Sequence, residues 1–295
     1  MAKRIESKSI LNKSKNRDSW FLSDYTVNPY SSCSFNCLYC YIRGSKYGEN
    51  LERSVSIKSN AAELLEKELK RRAIKNDYGF IVLASSTDPY LKFEEEEKIT
   101  RSLLEIILKY KFPVHIITKS PMVSRDFDLL KQIAEQAILP KDFEDKNLPG
   151  CLITFSFSTL DSSIAKIFEP GAPDPKLRLD ALKLCIDSGF KSGVSLMPLL
   201  PYISDTTESL DRFYKEFQKV KAHYVMPAGI TLFGNGNSDS KTLVLRAVEK
   251  HFPHLLGKYQ KLFNNSTQLP SYYSKAFQKK MKQMSDDFNL PLRII

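Results

Sequence analysis

No apolar run in this chain approaches the roughly 20 residues that a helix needs to cross a bilayer; the longest runs are strand-sized and interrupted. The first residues, MAKRIESKSILNKSKNRD, are basic but hold no apolar h-region and no small-residue cleavage site, which excludes a secretory signal there. No internal repeat or low-complexity tract is visible. Cysteine is scarce, five in 295 residues, and three of the five are clustered. A chain without an export signal is expected in the reducing cytoplasm, where clustered cysteines bind metal more often than they form disulfides. Acidic residues are also short: 34 Asp and Glu face 44 Lys and Arg, for a net charge of +10. That excess fits an anionic partner such as nucleic acid. It fits equally a lysine-rich surface, since the lysines are spread rather than drawn into one stripe. What remains is an ordinary globular balance, 42% hydrophobic and 26% charged, with length enough for one large α/β domain or two small ones.

The cluster lies in Asn28–Arg43, which reads NPYSSCSFNCLYCYIR. Cys33, Cys37 and Cys40 are spaced C-x3-C-x2-C, with Tyr39 directly before the last. Around it the chain alternates. A short strand at Tyr25–Asn28 delivers the loop, and Asn60 is a plausible N-cap for a helix through Arg72. Tyr78–Ala84 reads as a buried strand, Glu94–Tyr110 as one helix, Val114–Thr118 as a strand and Arg125–Ala137 as a helix. Cys151–Ser158 is the next strand, before helices at Ser162–Phe168 and Pro175–Ser188, the latter closed by Gly189. Phe190–Leu196 is a strand, a helix runs to Lys221 from a cap at Ser204 or Asp205, and Tyr224–Phe233 is a sixth strand.

This order predicts an α/β fold, a partial (β/α)6 TIM-type barrel with a parallel sheet and right-handed crossovers. A polar basic arm (1–22) precedes the barrel core (23–237), and a helical C-terminal extension (238–295) packs on it. In such barrels chemistry sits on the loops after the strands. Those loops hold the cysteines, Ser85–Asp88, Thr118–Ser120, Ser156–Thr159, Met197–Pro198 and Gly234–Gly236, so a single cavity on one rim is expected.

Three closely spaced thiolates can hold three irons of a 4Fe–4S cluster and leave the fourth open. Cys151 opens a strand and Cys185 lies on the apolar side of a helix, so both are expected in the core; His115, inside an apolar strand, is expected to be structural. A closed zinc site wants four ligands, usually as paired C-x2-C halves, and no second pair stands at suitable spacing. The rival of another class is a non-catalytic nucleic-acid-binding protein with a structural metal knuckle. Lys119 and the serines of the rim have no use in a knuckle.

C-x3-C-x2-C with an aromatic residue before its last cysteine resembles the signature of the radical S-adenosylmethionine superfamily. Asn28–Pro29–Tyr30, Tyr39–Cys40–Tyr41 and Arg43 look like the branch related to spore photoproduct lyase. So do Ser86–Tyr90, Ile117–Ser120, Ser156–Asp161, Glu169–Pro170, Arg178–Leu179, Pro198, Pro201 and Asp205, over roughly residues 25–235. The resemblance implies a 4Fe–4S cluster on Cys33, Cys37 and Cys40 that cleaves S-adenosylmethionine to a 5′-deoxyadenosyl radical. It implies a low-potential electron donor of the flavodoxin or ferredoxin type and no membrane. The substrate is a nucleic acid or nucleotide on this resemblance, with a protein or small molecule as the alternative. Ser86, Thr87, Asp88, Lys119, Ser156, Ser158 and Arg178 are expected around the cofactor's methionine end and ribose, with Tyr39, Met197 and Pro198 cradling adenine. Each serine alone also fits a solvated hydroxyl, and Asp88 fits a turn-initiating Asp-Pro. Ser85 stands where the lyase carries a hydrogen-donating cysteine. A hydroxyl O–H is too strong for that task, so spore photoproduct reversal is not expected. Ser85 and Tyr41 are the catalytic candidates, Tyr41 as a relay or as simple packing. Tyr202 stands where many relatives have glycine.

Overall fold

The computed structural model describes residues 3–45, 55–264 and 266–295. Strands β1 (Lys3–Ile5), β2 (Leu11–Lys13), β3 (Tyr25–Val27) and β4 (Ser56–Lys58) precede helix α1 (Ala61–Ile74). Next come β5 (Ile81–Leu83), α2 (Glu94–Glu97), α3 (Ile99–Lys109), β6 (Val114–Thr118), α4 (Phe127–Gln136) and β7 (Cys151–Phe157). The alternation continues through α5 (Ser162–Phe168), α6 (Pro175–Asp187), β8 (Lys191–Leu199), α7 (Thr207–Lys219) and β9 (Val225–Gly229). Helices α8 (Ser240–His251), α9 (Leu256–Leu262) and α10 (Ser271–Phe288) end the chain.

The main sheet runs β2-β3-β5-β6-β7-β8-β9. The six strands from β3 to β9 are parallel, and β2 joins the edge antiparallel to β3. Every residue of β5 and β7 is buried, as expected of strands covered on both faces. Among the described residues β9 does not pair with β2, so the barrel is partial. Its two edges are nevertheless covered. β2 protects one side, and on the other the Val225 amide donates to the Pro291 carbonyl at 2.8 Å, which blunts an open edge. Helix α10 lies along α7, where Met281 and Met284 join the main core.

Several local expectations change. Thr206, not Ser204 or Asp205, caps α7 and accepts from the Ser209 amide at 3.2 Å, and the sixth strand spans only Val225–Gly229. Asn60 stands at the N-cap of α1, but its side chain makes no cap bond. It pairs instead with the Ser7 backbone, N–H and C=O, at 2.9 Å each. The helix expected over Glu94–Tyr110 breaks at Lys98, which is left-handed at φ 51°. The break turns the Glu94 carboxylate inward to accept from the Thr100 amide at 2.9 Å. Residues 121–126 form a 3-10 turn ahead of α4 rather than its first turn. Cys151 and Cys185 are fully buried, as is His115. The His115 ring bridges the Phe21 carbonyl (2.8 Å) and the Thr154 hydroxyl (2.6 Å), fastening the N-terminal segment under the barrel.

Candidate active site

The cysteine loop follows β3 and is shaped by close backbone contacts. The Leu38 amide donates to the Phe168 carbonyl (2.8 Å), and the Gly171 amide donates to that of Phe35 (3.0 Å). A Cβ on Gly171 would stand 2.2 Å from the Ser34 carbonyl oxygen, so the loop and the α5–α6 connection meet only because that residue is glycine. Arg43 donates to the Cys37 carbonyl (3.0 Å), to the Ser238 carbonyl (3.2 Å) and to the Asn36 side chain. It thereby ties the loop to the segment that enters α8.

Two tyrosines in the loop reach buried carboxylates. Tyr30 donates to Glu94, which also accepts from Arg125 at 3.1 Å. Tyr39 donates to Glu169, which accepts from Ser158 (2.9 Å) and pairs with Arg178. Burial pushes the Glu94 carboxyl up, and its partners do not overcome it. Burial also acts on Glu169, but Arg178 and Lys119 outweigh it and hold that carboxyl below the usual range.

A cavity of about 480 Å³ opens beside the loop. Cys33, Cys37 and Cys40 share its wall with Tyr39 and Tyr41. The rim after β5 contributes Ser85, Ser86, Thr87 and Asp88, and Lys119 comes from the end of β6. Ser156, Met197 and Pro198 line the side formed by β7 and β8, while Phe21 and Ser23 of the N-terminal segment reach its far end. Ser158 and Arg178 do not line it. Side-chain alternation would place Ser158 with Ser156, but β7 ends at Phe157 and Ser158 turns to Glu169. Arg178 is fully buried behind the wall, where it also donates to the Ser156 carbonyl at 3.2 Å.

Asp88 closes the Asp-Pro turn and also stands in the cavity wall. Its carboxylate accepts from the Tyr90 amide (2.9 Å), closing the Asp-Pro turn. It also accepts from the Thr118 hydroxyl and the Lys119 amide, both at 2.8 Å, locking the end of β6 while lining the cavity. Asn28, which sequence reasoning treated only as part of a matching stretch, accepts from the amide and hydroxyl of Ser86 at 3.1 Å each. Tyr41, half-exposed at 53%, donates to the Ser85 carbonyl at 2.6 Å.

Burial pushes all three thiols up, Cys37 to about 12. The Lys119 ammonium has no ion pair among the described residues and stands 5.9 Å from the Tyr39 ring centroid. Burial lowers its pKa, but Cys37, Glu169 and Asp88 more than offset this and keep it charged. The Thr87 hydroxyl is buried without a partner among the described residues, and so is that of Ser32, next to Cys33. Buried polar atoms are rarely left unpaired. An unpaired cation and unpartnered hydroxyls beside three thiols fit a guest with a carboxylate and sulfur acceptors. Among the described residues no three His, Cys, Asp or Glu side chains converge closely enough for a single ion.

A protein of Mycobacterium tuberculosis described as uncharacterized is 26% identical over 289 residues, covering 96% of this chain and 79% of that protein. An uncharacterized protein of Methanocaldococcus jannaschii is 29% identical over 208 residues, covering 67% of this chain and 71% of its own length. Among solved structures, spore photoproduct lyase complexed with dinucleoside spore photoproduct superposes with a TM-score of 0.64 at 14% identity, covering 97% of this chain and 78% of the lyase. A lyase mutant with bound AdoMet and the same dinucleoside gives 0.60. The family model of the radical SAM superfamily matches residues 27–214. Those residues hold the cysteine loop and most of the cavity wall, and the chain therefore belongs to the radical SAM superfamily, whose chemistry runs on a 4Fe–4S cluster and S-adenosylmethionine, and shares its fold with spore photoproduct lyase.

Proposed function

We propose that this protein is a radical enzyme in which Cys33, Cys37 and Cys40 ligate three irons of the cluster and the adjoining cavity takes S-adenosylmethionine. The observation that carries this is that three thiols, the Lys119 ammonium and the Thr87 hydroxyl line one cavity, the last two without an ion pair or hydrogen-bond partner among the described residues. When bound, the two cofactors together supply a 5′-deoxyadenosyl radical that abstracts hydrogen from a substrate. Lys119 serves as a point charge for the methionine carboxylate, with Ser86 and Thr87 as its hydrogen-bonding neighbours and Ser156 toward the ribose. Asp88 acts by holding Lys119 in place. Met197, Pro198 and Tyr39 form the apolar cradle for adenine. Arg178 and Ser158 work through Glu169 rather than by direct contact. Tyr41 is the chain's own relay candidate, its phenol held by the Ser85 carbonyl.

We assign the substrate to nucleic acid or a nucleotide. The dinucleoside-bound lyase with the same fold and the net charge of +10 support this. A low-potential flavodoxin- or ferredoxin-type donor and a reducing, cytoplasmic setting fit a cluster that would have to be reduced before it could act. No described helix is long and apolar enough to cross a membrane.

Anaerobic reconstitution tests the reading. The expected result is about four irons and four acid-labile sulfides per chain, with 5′-deoxyadenosine formed on reduction in the presence of S-adenosylmethionine. Cys37→Ala abolishes both. One bound zinc without sulfide would instead establish the structural knuckle.

A further inference from the structure

Resting on that assignment of substrate class, we infer that Tyr202, Tyr272, Tyr273 and Lys258 form a stacking platform for single-stranded nucleic acid at the loop that leaves β8. Tyr202 lies in the loop that leaves β8, just beyond the cavity-lining Pro198. Its backbone is left-handed, with φ 60°, a conformation unfavourable for a bulky side chain. Such a conformation persists only where the surroundings hold it.

The surroundings do hold it. The half-buried Asp205 carboxylate accepts from the Tyr202 amide at 2.6 Å and from the Tyr273 hydroxyl. The Tyr202 and Tyr273 rings meet edge to face at 5.7 Å, and Tyr272 meets Tyr273 at 6.5 Å. Tyr273 packs on the cluster that contains Tyr39, Leu200, Ile203 and Tyr259, so the platform continues the wall behind the cysteine loop. Lys258 lies over the Tyr202 ring, 4.7 Å from its centroid.

The outer rings stay open to solvent: Tyr202 is 36% exposed and Tyr272 67%. Charge completes the case. Residues 238–295 carry ten Lys and Arg against four Asp and Glu, more than half of the chain's net +10. Aromatic rings with cations beside them are what unstacked bases and their phosphates recognise. A lipid surface would instead call for exposed Leu, Phe or Trp on an amphipathic helix, and a duplex offers no free base faces. Tyr272 is the base contact and Lys258 the phosphate contact.

Anisotropy with the reconstituted protein and a fluorescein-labelled thymidine oligonucleotide tests this, with a duplex of equal length, phosphatidylserine vesicles and polyglutamate as competitors. The single strand is expected to bind in preference to all three. Tyr272→Ala is expected to weaken binding at least about fivefold, the smaller end of stacking contributions. Tyr202→Gly, which removes the ring and suits the left-handed backbone, is expected to do the same without lowering the melting temperature. Lys258→Gln is expected to flatten the salt dependence, by about 0.7 in the log–log slope. Wild-type affinity in both tyrosine variants overturns the platform, as does equal or better competition by the duplex, vesicles or polyglutamate. Cleavage of S-adenosylmethionine by the wild-type protein, measured in parallel, separates the two readings. Strand binding without cleavage supports the platform and overturns the radical-enzyme reading; cleavage without strand binding does the reverse.

Discussion

The cysteine loop is fastened at both ends by the same combination, a tyrosine hydroxyl on a buried glutamate that an arginine pairs, yet the two fastenings differ electrostatically. At the Tyr30 end, Arg125 is 23% exposed and divides its guanidinium between Glu94 and Asp126, the latter at 2.7 Å. At the Tyr39 end, Arg178 and Glu169 are both fully buried at the side chain. The consequence is opposite protonation behaviour: Glu94 is pushed toward its neutral form and Glu169 toward its charged one. The difference tracks position. Glu94 answers to Arg125 and the Thr100 amide, whereas Glu169 shares the field of Lys119, which also feels Cys37 at the cavity. The first fastening holds the chain; the second also sets the charge beside the site.

The sharpest way to break that comparison is to remove each acid. Glu169→Ala strands a buried guanidinium, and about 3–5 kcal/mol of stability should be lost in anaerobic urea unfolding. Glu94→Ala should cost less, roughly 1–3 kcal/mol, because Arg125 keeps Asp126 and some solvent. Equal losses would mean that the two fastenings are equivalent.

The pH dependence sharpens the contrast through its sign. Glu169, depressed in the folded state, contributes stability above the unfolded carboxyl value near 4.5 that is lost as pH falls below it. Glu94 is raised, so the folded state binds more protons from that same value up to its own pKa. Stability therefore falls as pH rises through this window. Glu94→Gln should remove that fall, and Glu169→Gln should flatten the acid limb, both read from urea midpoints between pH 3 and 7. Buried His115 adds to the acid limb independently. Its folded value is lowered to about 4 from 6.5 by burial, so stability drops as pH falls through that interval. The drop amounts to about 3 kcal/mol, and His115→Gln should abolish it.

The smallest effects belong to the hydroxyls. Tyr30→Phe and Tyr39→Phe should each cost about 1–2 kcal/mol. Only Tyr39→Phe is expected to change the electron paramagnetic resonance signal of the reduced cluster on addition of S-adenosylmethionine.

Much of this was legible beforehand because it is written in local periodicity. The strand at Val114–Thr118 and the helix at Ser162–Phe168 appear within the bounds read from the sequence. Residues placed after successive parallel strands, such as Asp88, Lys119 and Ser156, do meet at one cavity, since parallel strands present their C-terminal ends together. The failures share one cause. Asn60 spends its amide on Ser7, the helix after Phe93 breaks to bury Glu94, and Ser158 and Arg178 turn to Glu169. In each case a polar side chain is claimed by a partner distant in sequence or beyond the end of its strand, where local pattern carries no information. Glu169 itself was read only as part of a matching Glu-Pro pair.

The sequence alone determined the cysteine spacing, the strand–helix alternation and the surplus of positive charge. These rest on residue type and short-range periodicity, which survive without a fold. Only the tertiary structure decided which polar groups remain free. Burial and pairing consume Arg178, Ser158 and Asp88, while among the described residues Lys119 has no ion pair and the Thr87 hydroxyl no hydrogen-bond partner beside three thiols. The same packing gathers Tyr202, Tyr272, Tyr273 and Lys258, two of them from α10 and one from α9, against the loop after β8. Proximity across such distances in the chain is fixed by the closing of the core, and no single stretch encodes it.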